Sequence, residues 1–93
     1  MSQNQTVPWL VTYDIANPRR LARVFKRLKK EGIPMQYSVF AVDTSAQKMG
    51  VLMAALATLI DGKADDVRAY RLPDDGWRAT LGEAMLPEDL WIN

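Results

Sequence analysis

The chain contains no cysteine and no histidine. The first absence excludes disulfides and thiolate metal centres, and it fits a reducing cytosol. The second excludes a histidine general base, Ser-His and Cys-His nucleophile pairs, and histidine-ligated zinc. Any catalysis must therefore use carboxylates, hydroxyls, lysine or arginine, with an oxygen-bound divalent cation such as magnesium as the natural helper. Long apolar runs are also missing. None approaches the roughly 18 residues that span a bilayer, and Met1 to Val7 lacks the charged and apolar regions of a secretory signal. The expected location is cytoplasmic, with no membrane association. The glycines at 32, 50, 62, 76 and 82 are too scattered to form a phosphate-cradling loop, and neither GxGxxG nor a Walker motif occurs.

What is present is ordinary in bulk and uneven in detail. Ninety-three residues, 48% hydrophobic and 25% charged, suit one folded domain with a single core. The net charge of +1 hides a polarity: residues 1–60 hold eight basic and three acidic side chains, residues 61–93 four basic and eight acidic. Such a chain can present one basic face while staying near neutral overall.

Trp9 to Ile15 is apolar and β-rich, as a central strand requires. Asn17 is a good N-cap and Pro18 fits the first helical position. Leu21, Val24, Phe25 and Leu28 then recur at helical spacing, with a stop near Gly32. Pro34 to Asp43 reads as one strand or a tight hairpin; no Asn-Gly or Asp-Gly turn decides between them. Asp43, Thr44 and Ser45 are alternative caps for a second helix striped by Met49, Leu52, Met53, Leu56, Leu59 and Ile60 and stopped by Asp61-Gly62. Asp66 to Leu72 is a further strand, and Pro73 to Gly76 a turn.

This order, β-α-β(β)-α-β, is the ferredoxin-like βαββαβ pattern, an α+β sandwich of two helices on an antiparallel sheet. It divides the chain into a lead-in (1–8), the ferredoxin-like domain (9–73) and a C-terminal tail (74–93). Both helices would cover one sheet face. If the other carries Tyr13, Tyr37 or Tyr70 it needs a partner, and a symmetric homodimer is the commonest solution.

Two features carry chemistry. Asp14, an acid at the end of an apolar strand, must be compensated: as a helix cap, as a partner of Arg19 or Arg20, or as a metal ligand. One carboxylate cannot satisfy a hard cation that takes about six oxygens, but a dimer would bring a second Asp14. The helix from Pro18 holds Arg19, Arg20, Arg23, Lys26, Arg27, Lys29 and Lys30 with no acid before Glu31. Cations in its first turns oppose the macrodipole, and the row forgoes the opposite-sign pairs that stabilise solvated helices. An anionic partner, phosphate above all, explains the arrangement; a merely solvated basic face is the alternative. Gln36, Ser38 and Phe40 lie two apart and would share a face of a regular strand.

Tyr13-Asp14-Ile15, Arg19-Arg20 opening a basic helix, and Gln36-Tyr-Ser-Val-Phe40, in this order, resemble the CRISPR-associated Cas-two family, over about residues 9 to 72. The resemblance implies a ferredoxin-like homodimer that partners the CRISPR integrase in spacer acquisition. It implies one magnesium ion per dimer, shared by Asp14 of both protomers. Arg19 and Arg20 would lie beside it, stabilising phosphate charge, and Ser38 would position substrate or water. Tyr13, Gln36 and Phe40 would support the site. Arg19, Arg20, Arg23, Lys26, Arg27 and Lys30 would bind nucleic acid, a protospacer DNA duplex or RNA. The family's C-terminal segment often adds a strand across the dimer or contacts the integrase, which gives Leu90-Trp91-Ile92 that expected role. Between the aspartate and the arginines the family often has a further polar or acidic residue; here the loop reads Ala16-Asn17-Pro18, leaving few oxygens beyond Asp14. The implied functions separate into metal-dependent endonuclease activity and purely structural DNA bridging. A toxin-type ribonuclease on the same fold and a domain binding a small anion are the competing readings.

Overall fold

A computed structural model describes residues 4–73. Six elements follow one another: β1 (Thr6–Asp14), α1 (Pro18–Lys29), β2 (Ile33–Gln36), β3 (Val39–Ser45), α2 (Ala46–Ala57) and β4 (Asp66–Arg71). The sheet order is β2-β3-β1-β4, and every neighbouring pair is antiparallel. This is the ferredoxin-like arrangement that the order of elements predicts. The tail and its anticipated strand at Leu90-Trp91-Ile92 lie outside the described residues.

β1 begins three residues before Trp9, because Thr6 and Val7 pair with Ser45 and Thr44. Pro8 and the polar residues before Thr6 conceal this start, since proline ordinarily marks a strand end or edge. Alternation along β1 then separates two faces. Val11 and Tyr13 join Val24 and Leu28 of α1, Phe40 and Val42 of β3, and Met49, Leu52 and Leu56 of α2 in one core, with Trp9 packed against it. Burying each large aliphatic or aromatic side chain of this kind contributes about 1.5–3 kcal/mol.

The segment from residue 33 to 45 is a hairpin. Its two-residue connection is Tyr37-Ser38, and Ser38 takes a φ of 66°. The left-handed conformation that glycine or asparagine would announce is thus carried by a serine, so the turn leaves no sequence signature. A register irregularity between Pro34 and Gln36 bends β2.

Gly32 does not act as a left-handed helix stop. α1 is capped by Lys30 in right-handed geometry, with Gly32 N donating to Leu28 O at 3.0 Å. Glycine is needed there because a Cβ would stand 2.2 Å from the Ala41 carbonyl oxygen. α2 is capped by Ser45, whose Oγ accepts from Lys48 N at 3.1 Å. It ends at Ala57, earlier than Asp61-Gly62, and Leu59 and Ile60 reach the core from the loop that follows.

The uncovered sheet face carries Leu10, Thr12 and Asp14 of β1 and, opposite them in register, Tyr70, Arg68 and Asp66 of β4. Of the three tyrosines considered for it, only Tyr70 belongs there. Tyr13 is buried under the helices, and Tyr37 sits in the hairpin turn.

Candidate functional site

Asp14 ends β1 on the uncovered face and is exposed to solvent. It caps nothing: the α1 cap is Asn17, whose Oδ1 accepts from Arg19 N at 2.9 Å and Arg20 N at 3.0 Å. Nor does Arg19 or Arg20 pair with it. Its cross-strand partner is Asp66, directly opposite on β4. Residues so paired project to the same face, so two carboxylates share one corner of the sheet. Asp66 also accepts from Arg68 Nε at 2.8 Å. Among the described residues no group of three acids is close enough together to hold a metal.

The donor set can be compared with a divalent cation. Asp14 has the right chemistry, a hard carboxylate oxygen engaged by no hydrogen bond or ion pair among the described residues. The count is short. Asp66 lies beside it but is held by Arg68, and the loop residues Ile15-Ala16-Asn17 offer no further acid. Asp14 therefore offers a fitting donor, but the described residues fall short of the roughly six oxygens that a hard divalent cation takes.

Arg20 has a different occupation from the one expected. Its Nε and Nη2 donate to Asp65 Oδ2 and Oδ1 at 2.7 and 3.1 Å. Asp65 is a buried side chain that also accepts from Ala16 N at 2.9 Å and Asp61 N at 2.8 Å. Its carboxyl is held well below the usual aspartate range, first by the Arg20 hydrogen bonds and then by the two backbone donors. This cluster ties the β1–α1 loop, which follows Asp14, to the loop before β4, which supplies Asp66. Sequence reading missed Asp65. Its available signal was adjacency: Asp65-Asp66 opens β4 at the place where an antiparallel partner of Asp14 must lie.

The remaining cations of α1 fall on the helix's outer surface. Arg19, Arg23, Lys26, Lys29 and Lys30 are exposed. Arg27 pairs with Glu31 one turn on, so the row does not wholly forgo opposite-sign pairing. Lys26, Arg27 and Lys29 occupy the last turn, where the macrodipole favours them. Because α1 covers the face that Tyr13 enters, the row and Asp14 belong to opposite sides of the sheet, and only the first turn of α1 approaches the strand end.

Ser38, Gln36 and Tyr13 line a cavity between α1 and the hairpin turn that also takes in Phe25 and Tyr37, and Tyr13 N, next to Asp14, donates to Ser38 O at 3.1 Å. Phe40 does not line it but packs behind, 5.3 Å from the Phe25 ring centre and 6.1 Å from that of Tyr13. Burial and the neighbouring Tyr37 raise the Tyr13 hydroxyl above its ordinary pKa, so it is a protonated donor at neutral pH. Gln36 and Ser38 thus line one cavity, whereas Phe40 belongs to the core behind it, and Ser38 stands in the turn and not on a regular strand.

Comparison with known proteins places these features in a family. A model of the CRISPR associated protein Cas2 family matches residues 7–80. The CRISPR-associated endoribonuclease Cas2 1 of Nitrosomonas europaea is 39% identical over 82 residues, 88% of this chain and 78% of its own. CRISPR-associated endoribonuclease Cas2 2 of Thermodesulfovibrio yellowstonii is 40% identical over 76 residues, 82% of this chain and 84% of that one. Among solved structures, Streptococcus pyogenes Cas2 superimposes with a TM-score of 0.70 at 31% identity, over 77% of this chain and 93% of that one.

Proposed function

This chain belongs to the CRISPR-associated Cas2 family, and from that premise and the surface of α1 we propose that it is a cytoplasmic nucleic-acid-binding homodimer acting in spacer acquisition, bridging the CRISPR integrase on duplex DNA. The observation that carries this reading is the outward row of Arg19, Arg23, Lys26, Lys29 and Lys30. All five are exposed, and none has an ion-pair partner among the described residues. Cations that decorate a helix only for solubility are ordinarily interleaved with acids. Here the chain's charge is concentrated on one element, as binding to a phosphate backbone requires.

A second reading, cleavage of RNA or DNA phosphodiesters, is supported by the relatives named endoribonucleases and by the unengaged carboxylate of Asp14. Magnesium, when bound, would polarise a phosphoryl oxygen and generate a nucleophilic hydroxide. Asp14 and its symmetry mate would hold it. Arg19, exposed in the first turn of α1, is available to phosphate oxygens. Arg20 serves instead to position the loop behind Asp14 through Asp65. Ser38 sits in the hairpin turn with its carbonyl accepting from Tyr13 N at 3.1 Å, one residue from Asp14, and is available to position substrate or water.

The test of the leading reading is charge reversal on the row. Arg23→Glu combined with Lys26→Glu changes two exposed side chains and leaves the core intact. Duplex DNA binding should weaken, and the slope of log K against log[salt] should become shallower by about 0.9 for each phosphate that the protein no longer neutralises. Unchanged affinity and slope would remove the row from the interface.

A further inference from the structure

The cavity between α1 and the β2–β3 turn has a volume of about 360 Å³, within the range of small-ligand pockets. Its walls are largely aromatic and aliphatic: Leu21 and Phe25 from α1, Tyr13 from β1 and Tyr37 from the turn. Two of these rings are open to solvent, Phe25 at 38% exposure and Tyr37 at 68%. Exposed aromatics at the mouth of an apolar recess offer faces on which a planar group can stack.

One polar group in the wall is unsatisfied. Gln36 Oε1 is buried without a hydrogen-bond donor, alone in this among buried side-chain polar atoms of the described residues. Burial without a partner is unfavourable, and native structures retain few such atoms. As the side chain stands the atom is closed off from solvent, so an incoming N–H satisfies it only when the Gln36 amide turns towards the cavity. The Tyr13 hydroxyl, protonated at neutral pH, adds a donor in the same lining.

The surroundings are cationic. Lys29 Nζ stands 5.8 Å from the centre of the Phe25 ring. Arg19 and Lys26 lie three residues before and four after Ala22, which also lines the cavity, so helical spacing sets them on its flank. A ligand suited to all of this has a flat heteroaromatic part bearing N–H donors, joined to an anionic part that stays outside.

We propose that this cavity receives a single unstacked nucleobase from single-stranded nucleic acid, which stacks on Tyr37 and Phe25 and draws the Gln36 amide round to accept from its edge, while its flanking phosphates lie on Arg19, Lys26 and Lys29. The inference rests on the nucleic-acid-binding reading above and deepens it. It assigns to the chain a binding mode for single strands, distinct from duplex binding through the backbone, and it gives Gln36 and Tyr37 roles that the strand-end carboxylate does not require. Splayed bases held between rings and hydrogen-bonded on their edges are the usual currency of single-strand recognition.

The experiment uses a short single-stranded RNA containing one 2-aminopurine, whose fluorescence is quenched on stacking, with the intact chain and two variants. Tyr37→Ala removes an exposed ring from a turn; Gln36→Met removes the acceptor and keeps the length of the side chain. Quenching with the unaltered chain, abolished in Tyr37→Ala together with a fall of about 5- to 150-fold in affinity, is the expected result. Gln36→Met should weaken binding in the same direction. If the unaltered chain binds the RNA without quenching and both variants bind equally well, the cavity proposal is overturned while surface binding stands. If the unaltered chain binds neither this RNA nor duplex DNA, the nucleic-acid reading itself fails.

Discussion

Arg20 holds Asp65 through two parallel hydrogen bonds, Nε to Oδ2 at 2.7 Å and Nη2 to Oδ1 at 3.1 Å, and Asp65 in turn binds the backbone of Ala16 and Asp61. A fork-on-carboxylate pair of this kind is directional as well as charged. Its consequence is a rigid corner where β1 ends, α1 begins and β4 starts. The corner lies behind Asp14 and Asp66, which the β1–β4 register sets opposite each other.

Acid should therefore loosen the corner. The folded pKa of Asp65 is depressed, so its contribution to stability is complete above the unfolded aspartate pKa of about 3.9 and is lost as pH falls below it towards the folded value. Unfolding midpoints in urea should decline below about pH 5. Asp65→Asn should lower the melting temperature by several degrees at pH 7 and show a flatter decline in acid. Arg20→Lys, which keeps the charge but loses the fork, should also destabilise. An acid limb as steep in Asp65→Asn as in the unaltered chain would assign acid sensitivity to other groups.

Glycine substitutions divide cleanly. At Gly32 a new Cβ would meet the Ala41 carbonyl oxygen at 2.2 Å and Val42 Cγ2 at 2.7 Å. Backbone must move, so Gly32→Ala should cost about 1–3 kcal/mol or more. Gly50 lies inside α2 with nothing within 4 Å of its Cβ position. There alanine restores helix propensity, and Gly50→Ala should stabilise by roughly 0.5–1 kcal/mol. Urea unfolding of both variants gives the two signs; equal effects would contradict the close approach of α1's end to β3.

The contrast shows which parts of the molecule are legible in the chain. Periodicity exposes the helices and strands because burial of one face leaves an unmistakable spacing, as at Leu21, Val24, Phe25 and Leu28. Asn17-Pro18 announces α1 because capping chemistry is local. The hairpin is hidden, since Ser38 adopts a glycine-like backbone without being glycine. The candidate site is legible only in part. Asp14 stands out as an acid in an apolar strand, but its neighbours Asp65 and Asp66 are about fifty residues away, and only the β1–β4 register brings them together. Likewise the occupation of Arg20 depends on a loop that no spacing rule reaches.

Ser38 offers a separation of backbone from side chain. A non-glycine residue in the left-handed region carries a cost of about 1–2 kcal/mol, partly offset in a glycine variant by the greater freedom of the unfolded chain. Ser38→Gly should be neutral to mildly stabilising, by up to about 1 kcal/mol in urea unfolding. If cleavage of single-stranded RNA is measurable, it should fall in this variant, because Ser38, whose carbonyl accepts from Tyr13 N at 3.1 Å beside Asp14, would no longer offer a hydroxyl to substrate or water. Unchanged cleavage with a fully folded variant would remove Ser38 from the catalytic group.

Asp14 makes opposite predictions for stability and for metal response. In the chain without metal it faces Asp66 in register, and like charges so placed destabilise by about 0.2–1 kcal/mol. Asp14→Asn removes that repulsion and should raise the urea midpoint slightly. A bound divalent ion reverses the balance, since a ligand held by the folded state alone stabilises that state increasingly as its concentration rises above its Kd. Added magnesium should raise the melting temperature of the unaltered chain, chelator should undo the rise, and Asp14→Asn should abolish the response together with any metal-dependent cleavage. Asp66→Asn should relieve the same repulsion while preserving the magnesium response, because Asp66 is already engaged by Arg68. A magnesium response unchanged in Asp14→Asn would place the ion elsewhere and leave Asp14 with a purely structural part in the corner that Asp65 holds.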